Sequence, residues 1–197
     1  MHRPMRQSAR QVTDRAVIRA MLDGMDTMFV GIHDEPAPYV VPVNFGYAFE
    51  DELVFYFHCA QAGYKLELLE KNPNVSVTAA SFISYAGGSV KGHMHDYRSV
   101  MARGVARRID PEREAAEFDR AHRLLLAHNH RTLQPGDAPV MRFIQLWRIV
   151  CRPEDVTAKA EIVPRSVEEV PFAPAVPDGA PVDESHIFGA DDAKPSC

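Results

Sequence analysis

The sequence predicts a mainly β (α+β) domain, a barrel of about six strands with two or three helices at its periphery. Six segments of apolar or alternating character are separated by turn residues, whereas only three segments place apolar residues at helical spacing. The 197 residues are 46% hydrophobic, with ten Phe, six Tyr and one Trp, enough for the core of one domain.

In chain order, Thr13 is the expected N-cap of a helix over residues 14–23, with Val17 and Met21 on one buried face and Gly24 as its stop. Residues 27–33 (TMFVGIH) and 39–47 (YVVPVNFGY) flank the turn 34–38, and 53–58 (LVFYFH) follows the acidic turn 50–52, giving a three-strand meander. Tyr64–Lys71 (YKLELLEK) reads as a helix stopped by Asn72-Pro73. Strands are expected at 74–82 and 97–109. Asp110-Pro111 then starts a helix reaching about His128, with Ala115, Phe118, His122 and Leu125 at helical spacing. Residues 141–151 (MRFIQLWRIVC) form the last strand. The stretch 84–96, with three glycines, His93 and His95, reads as a loop that is mobile or shaped around something.

The character changes beyond Val156. Residues 157–197 contain six prolines among Ala, Val and acidic residues, which suits neither a sustained helix nor an interior strand. The expectation is a domain over 1–156 and a Pro/acid-rich extension over 157–197, laid across a partner subunit. That extension holds eight acidic side chains against three Lys or Arg, so the remainder is balanced at 19 of each sign. A nucleic-acid binder would show a basic excess or stripe, and neither is present. No apolar run has the length of a membrane span and no secretory signal opens the chain, so the expected location is the cytoplasm. Cys59, Cys151 and Cys197 are scattered as thiols of a reducing compartment are. His93-x-His95 and His128-x-His130 lack the further ligands of a zinc frame, so no metal site is expected.

Chemistry concentrates where the strand ending YFHCA meets the turn Gln61-Ala62-Gly63 and the helix carrying Lys65. The first amides of a helix have no internal partner, its dipole favours negative charge there, and a lysine adds a full positive charge. An anion site and a merely solvated amphipathic helix both fit this segment. His58 suits a ligand contact, an acid–base role or structural capping, and Cys59 beside it suits a redox thiol or a small buried one. Pro42 inside Val40-Val41-Pro42-Val43-Asn44 requires an edge, a bulge or a strand start. Its neighbours' backbone groups could then serve a planar heterocycle such as the pyrimidine end of a flavin, or face water. Arg98 and Ser99 at a strand start suit a phosphate or an electron-rich ring, or a plain surface. Trp147 falls on a core-like strand face.

In order, YVVPVNFGY, LVFYFHCAQAGYKLELLEKNPNVSV and YRSV resemble the FMN-binding split-barrel proteins related to pyridoxamine 5'-phosphate oxidase, nearest the nitroimidazole-resistance (Nim-like) branch, over roughly residues 12–152. The resemblance implies a six-stranded split β-barrel that dimerises and holds FMN in clefts between its subunits. Val41, Pro42, Val43 and Asn44 would lie along the isoalloxazine. His58, Cys59, Ala60, Gly63 and Lys65 would sit near the phosphate and ribityl chain, and Arg98 and Ser99 would line the same pocket. His58 matches a histidine linked to the active site in Nim-like members, while Cys59 stands where many relatives have serine. The arginine-rich flavin motifs and C-terminal signature of true pyridoxamine-phosphate oxidases are absent, so vitamin B6 synthesis is not expected. The implied activity is an FMN-dependent oxidoreductase, reduced by a nicotinamide or other donor and acting on a small nitro- or quinone-like electrophile. The alternatives are a flavin-storing or flavin-sensing module, and a haem protein using His93, His95 or His58.

Overall fold

A computed structural model of the chain describes residues 5–85, 95–131 and 144–170. The elements are β1 (Gln11–Val12), α1 (Arg15–Asp23), β2 (Thr27–Ile32), β3 (Tyr39–Asn44), β4 (Gly46–Phe49), β5 (Leu53–Ala60), α2 (Tyr64–Lys71), β6 (Asn74–Tyr85), β7 (His95–Arg108), α3 (Ala115–His128), β8 (Ile144–Cys151) and β9 (Val156–Ala160).

The strands form one antiparallel sheet in the order β3-β2-β6-β7-β8-β5-β4, with β9 pairing β7 and β1 pairing β9. β3 and β4 lie at opposite ends of this order, yet only Phe45 separates them in the chain. The sheet therefore has to curl until its ends meet. Counted as one strand kinked at Phe45, β3–β4 joins β2, β6, β7, β8 and β5 in a closed circuit of six, which is the split β-barrel expected from the sequence. The kink itself was not foreseen. It takes the Phe45 carbonyl out of the ladder, and the Asn129 side-chain amide donates to that carbonyl at 3.0 Å.

Alternation sorts the side chains. Met28, Val30, Ile32, Val43, Phe45, Phe55, Phe57, Val75, Val77, Val100 and Ile149 point inward and are buried in one core. A second cluster lies outside the barrel wall, where Ala121 and Leu125 of α3 cover Tyr56 and Leu146. Gly46 permits that packing, because a Cβ there would stand 2.5 Å from the Leu124 carbonyl carbon and the Leu125 nitrogen. Helix α1 is capped by Asp14, whose carboxylate accepts the Ala16 and Val17 amides at 2.8 and 3.0 Å; the cap falls one residue after Thr13. α3 begins at Ala115 rather than at Pro111, because Asp110 turns the chain by accepting the Glu112 and Arg113 amides.

Part of the extension differs from expectation. Val156–Ala160 is an interior strand, paired to β7 on one side and β1 on the other. Its prolines begin only at Pro164, and the small Ala158 and Ala160 fit inward at 1% and 0% exposure. The chain then returns over the barrel, burying Pro164 and Val170. Residues 171–197, the loop around His93 and the start of the last predicted strand at 141–143 lie outside the described residues. No helix among those described is long and apolar enough to cross a membrane.

Candidate functional site

β5 delivers the central turn. Phe55, Phe57 and Cys59 point inward and His58 and Ala60 outward, and the ladder to β8 ends at the pair Ala60–Ile144. Gly63 has φ of +143°, a conformation that suits glycine, and it precedes α2 without a side-chain cap on the helix amides. One turn is closed by the Leu66 amide donating to the Gly63 carbonyl at 2.9 Å. The Lys65 ammonium stands 5.6 Å from the centroid of the Phe57 ring, which brings it to the mouth of the barrel core.

The electrostatics of this turn are positive. Partial withdrawal from water, followed by the charges of Lys65, His122 and Arg131, lowers the His58 pKa below the ordinary histidine range although the ring stays exposed. Burial pushes the Cys59 thiol up, opposed by Lys65 and Arg108. Cys59 is 7% exposed with its Sγ 4.0 Å from the Gln145 carbonyl, so it is the small buried thiol rather than a reactive one. Sequence reasoning missed Arg108, His122 and Arg131 as members of this group. They come from β7, α3 and the turn after α3, and only His122 gave a signal, through its helical spacing.

The other candidates divide between the two sides of the sheet. β3 ends the strand order and pairs with β2 alone, so Pro42 does sit on an edge strand. Val41 and Val43 face the core opposite Val30 and Met28, while Pro42 and Asn44 face outward, and the Asn44 amide donates to the Asp26 carbonyl at 3.2 Å. Arg98 and Ser99 do not share a side. Ser99 faces outward between Ala80 and Lys159, whereas Arg98 is 5% exposed and donates to the Glu169 carbonyl at 3.3 Å. Its guanidinium holds the returning C-terminal segment. A groove of about 860 Å³ at the end of the barrel, lined in part by Gly31, Pro38, Arg103 and Val150, contains none of the candidate residues.

The arrangement can hold an anion at the turn with a neutral imidazole next to it, and present the open β3 edge to a planar ligand. Residues 14–160 match the family model described as pyridoxamine 5'-phosphate oxidase. Among solved structures, a candidate 5-nitroimidazole antibiotic resistance protein from Bacteroides thetaiotaomicron is 28% identical with a TM-score of 0.60, over 76% of this chain and 86% of that one. A flavocytochrome from Azotobacter vinelandii is 19% identical with a TM-score of 0.60 over 94% of each chain. A FAD and heme binding protein from Mycobacterium smegmatis is 18% identical with a TM-score of 0.60, over 90% of this chain and 96% of that one. The last two show the fold. The comparison with curated proteins yields no match.

Proposed function

The chain belongs to the pyridoxamine 5'-phosphate oxidase family, and from that premise we propose that it binds FMN between two copies of itself and acts as an oxidoreductase on a small electrophile. The observation that carries the reading is the turn between β5 and α2, where α2 starts after Gly63 with no side-chain cap on its first amides and Lys65 stands in its first turn at the mouth of the barrel core. Lys65 with the uncapped first amides of α2 fits a phosphate dianion, in a neighbourhood made positive by Arg108 at Cys59 and by His122 and Arg131 at His58.

When bound, a flavin supplies electron and hydride transfer. The chain supplies position and charge. Lys65 and the α2 amides hold the phosphate, and the free edge of β3 around Pro42 offers main-chain donors and acceptors to the ring. His58, kept neutral near pH 7 by its surroundings, can donate or accept a proton at the ring edge or at substrate. The likeness to the candidate nitroimidazole resistance protein supports a nitro compound as the substrate class.

A second copy has a face to dock on. Pro42, Phe29, Thr78, Met101 and Thr157 line up across β3, β2, β6, β7 and β9 on the outside of the barrel. Phe29 is 45% and Met101 40% exposed, with Val40, Phe82 and Val105 also exposed around them. This row supports a self-association surface beside the β3 edge, where a flavin would be covered.

The test is the visible spectrum of the purified protein, the identity of the released cofactor, and bleaching by NADH or NADPH. The expected result is a yellow protein that releases FMN and is bleached by one of the two donors. Released FAD would overturn the choice of flavin, a Soret band with no flavin released would overturn the flavin itself, and flavin bands inert to both nicotinamides the reductase activity.

A further inference from the structure

Gln145 is one of two buried polar residues in the described chain, at 9% exposure, and its side chain is fully committed. The Trp147 indole N–H donates to Gln145 Oε1 at 3.2 Å. Gln145 Nε2 donates to the Gln61 main-chain carbonyl at 2.9 Å and lies 3.2 Å from Gln61 Oε1. The Gln61 amide in turn donates to the Ile144 carbonyl at 3.1 Å. Because an indole N–H can only donate, the oxygen of Gln145 must face Trp147 and its NH2 must face Gln61. Neither a carboxylate nor an apolar side chain could accept from the one and donate to the other.

The position of these bonds is what matters. The ladder between β5 and β8 stops at Ala60–Ile144, and the chain enters α2 through Gly63, with its positive φ. Past that last pair, the Gln145 amide takes over as a donor to the Gln61 main chain. We propose that Gln145 is a positioning residue for the FMN phosphate: its buried amide holds the turn in the conformation that offers Lys65 and the first α2 amides to one anion. The inference rests on the FMN reading above and adds the residue that preorganises its phosphate site. The amide carries no charge, so it holds the turn without diminishing the positive field.

Flavin-free wild-type protein and the variants Gln145→Met and Trp147→Phe should each be titrated with FMN and with riboflavin, which lacks the phosphate, by quenching of flavin fluorescence. A wild type that binds riboflavin as tightly as FMN overturns the phosphate reading itself. Given a wild-type preference for FMN, Gln145→Met is expected to reduce that preference about tenfold, as loss of buried hydrogen bonds does, with riboflavin affinity retained. Trp147→Phe keeps the packing on Phe57 and removes the donor that orients Gln145, so it should shift the ratio the same way; it carries the test if Gln145→Met does not fold. An unchanged FMN-to-riboflavin ratio in a folded variant, whether both affinities hold or both fall together, overturns the role assigned to Gln145.

Discussion

Lys65 shows how much a single side chain depends on what surrounds it. Its place one residue into a helix after a glycine is visible in the chain, and the structure puts its ammonium over the Phe57 ring, where its charge acts on both His58 and Cys59. Replacing it with alanine removes one charge-assisted contact to the proposed phosphate. FMN affinity is expected to weaken about 10- to 100-fold, measured by fluorescence titration, with little change in melting temperature. Arg98 carries the opposite lesson. YRSV reads equally well as a ligand contact, yet strand alternation turns Arg98 inward to the Glu169 carbonyl and leaves Ser99 outside.

At the scale of elements, α3 is held on the barrel wall by a network under its first turns. The Tyr56 hydroxyl donates to Glu117 at 2.9 Å and Arg148 pairs with the same carboxylate at 3.3 Å. Burial and then the bond to Glu117 push the Tyr56 pKa up to about 12, above the ordinary tyrosine value of 10. The unfolded chain therefore loses this proton first, and the contribution to stability is present below pH 10 and lost as the pH rises toward 12. Tyr56→Phe should cost about 1 kcal/mol in denaturant unfolding at neutral pH and flatten the fall in stability above pH 10. The helix α2 was legible to the residue, because Gly63 and Asn72-Pro73 punctuate it locally. The start of α3 and the break at Phe45 were not, since a side-chain turn at Asp110 and the docking of Asn129 on a freed carbonyl decide them.

For the whole molecule, the exposed row from Pro42 to Thr157 crosses five strands that are far apart in sequence. Phe29→Lys puts a charge in this row, next to the β3 edge. The expected outcome is a shift from the proposed dimer, first measured for the wild type, to monomer by light scattering, with FMN affinity reduced about tenfold or more; a variant that stays dimeric would remove this face from the interface.

By itself, the sequence determined six strands, their order along the chain, the helix α2 and the glycine-and-lysine punctuation of the turn before it. Alternation, punctuation and helix-end geometry are local properties, readable over a few residues. Only the tertiary structure decided that β3 and β4 close the barrel, that β9 extends the sheet, and that Arg98 faces the core. It alone brought Gln145 to Gln61 and set Arg108 near enough to Cys59, and His122 and Arg131 near enough to His58, for their charges to act there. Those outcomes depend on which strands pair and in what register, and no window of the sequence contains both partners.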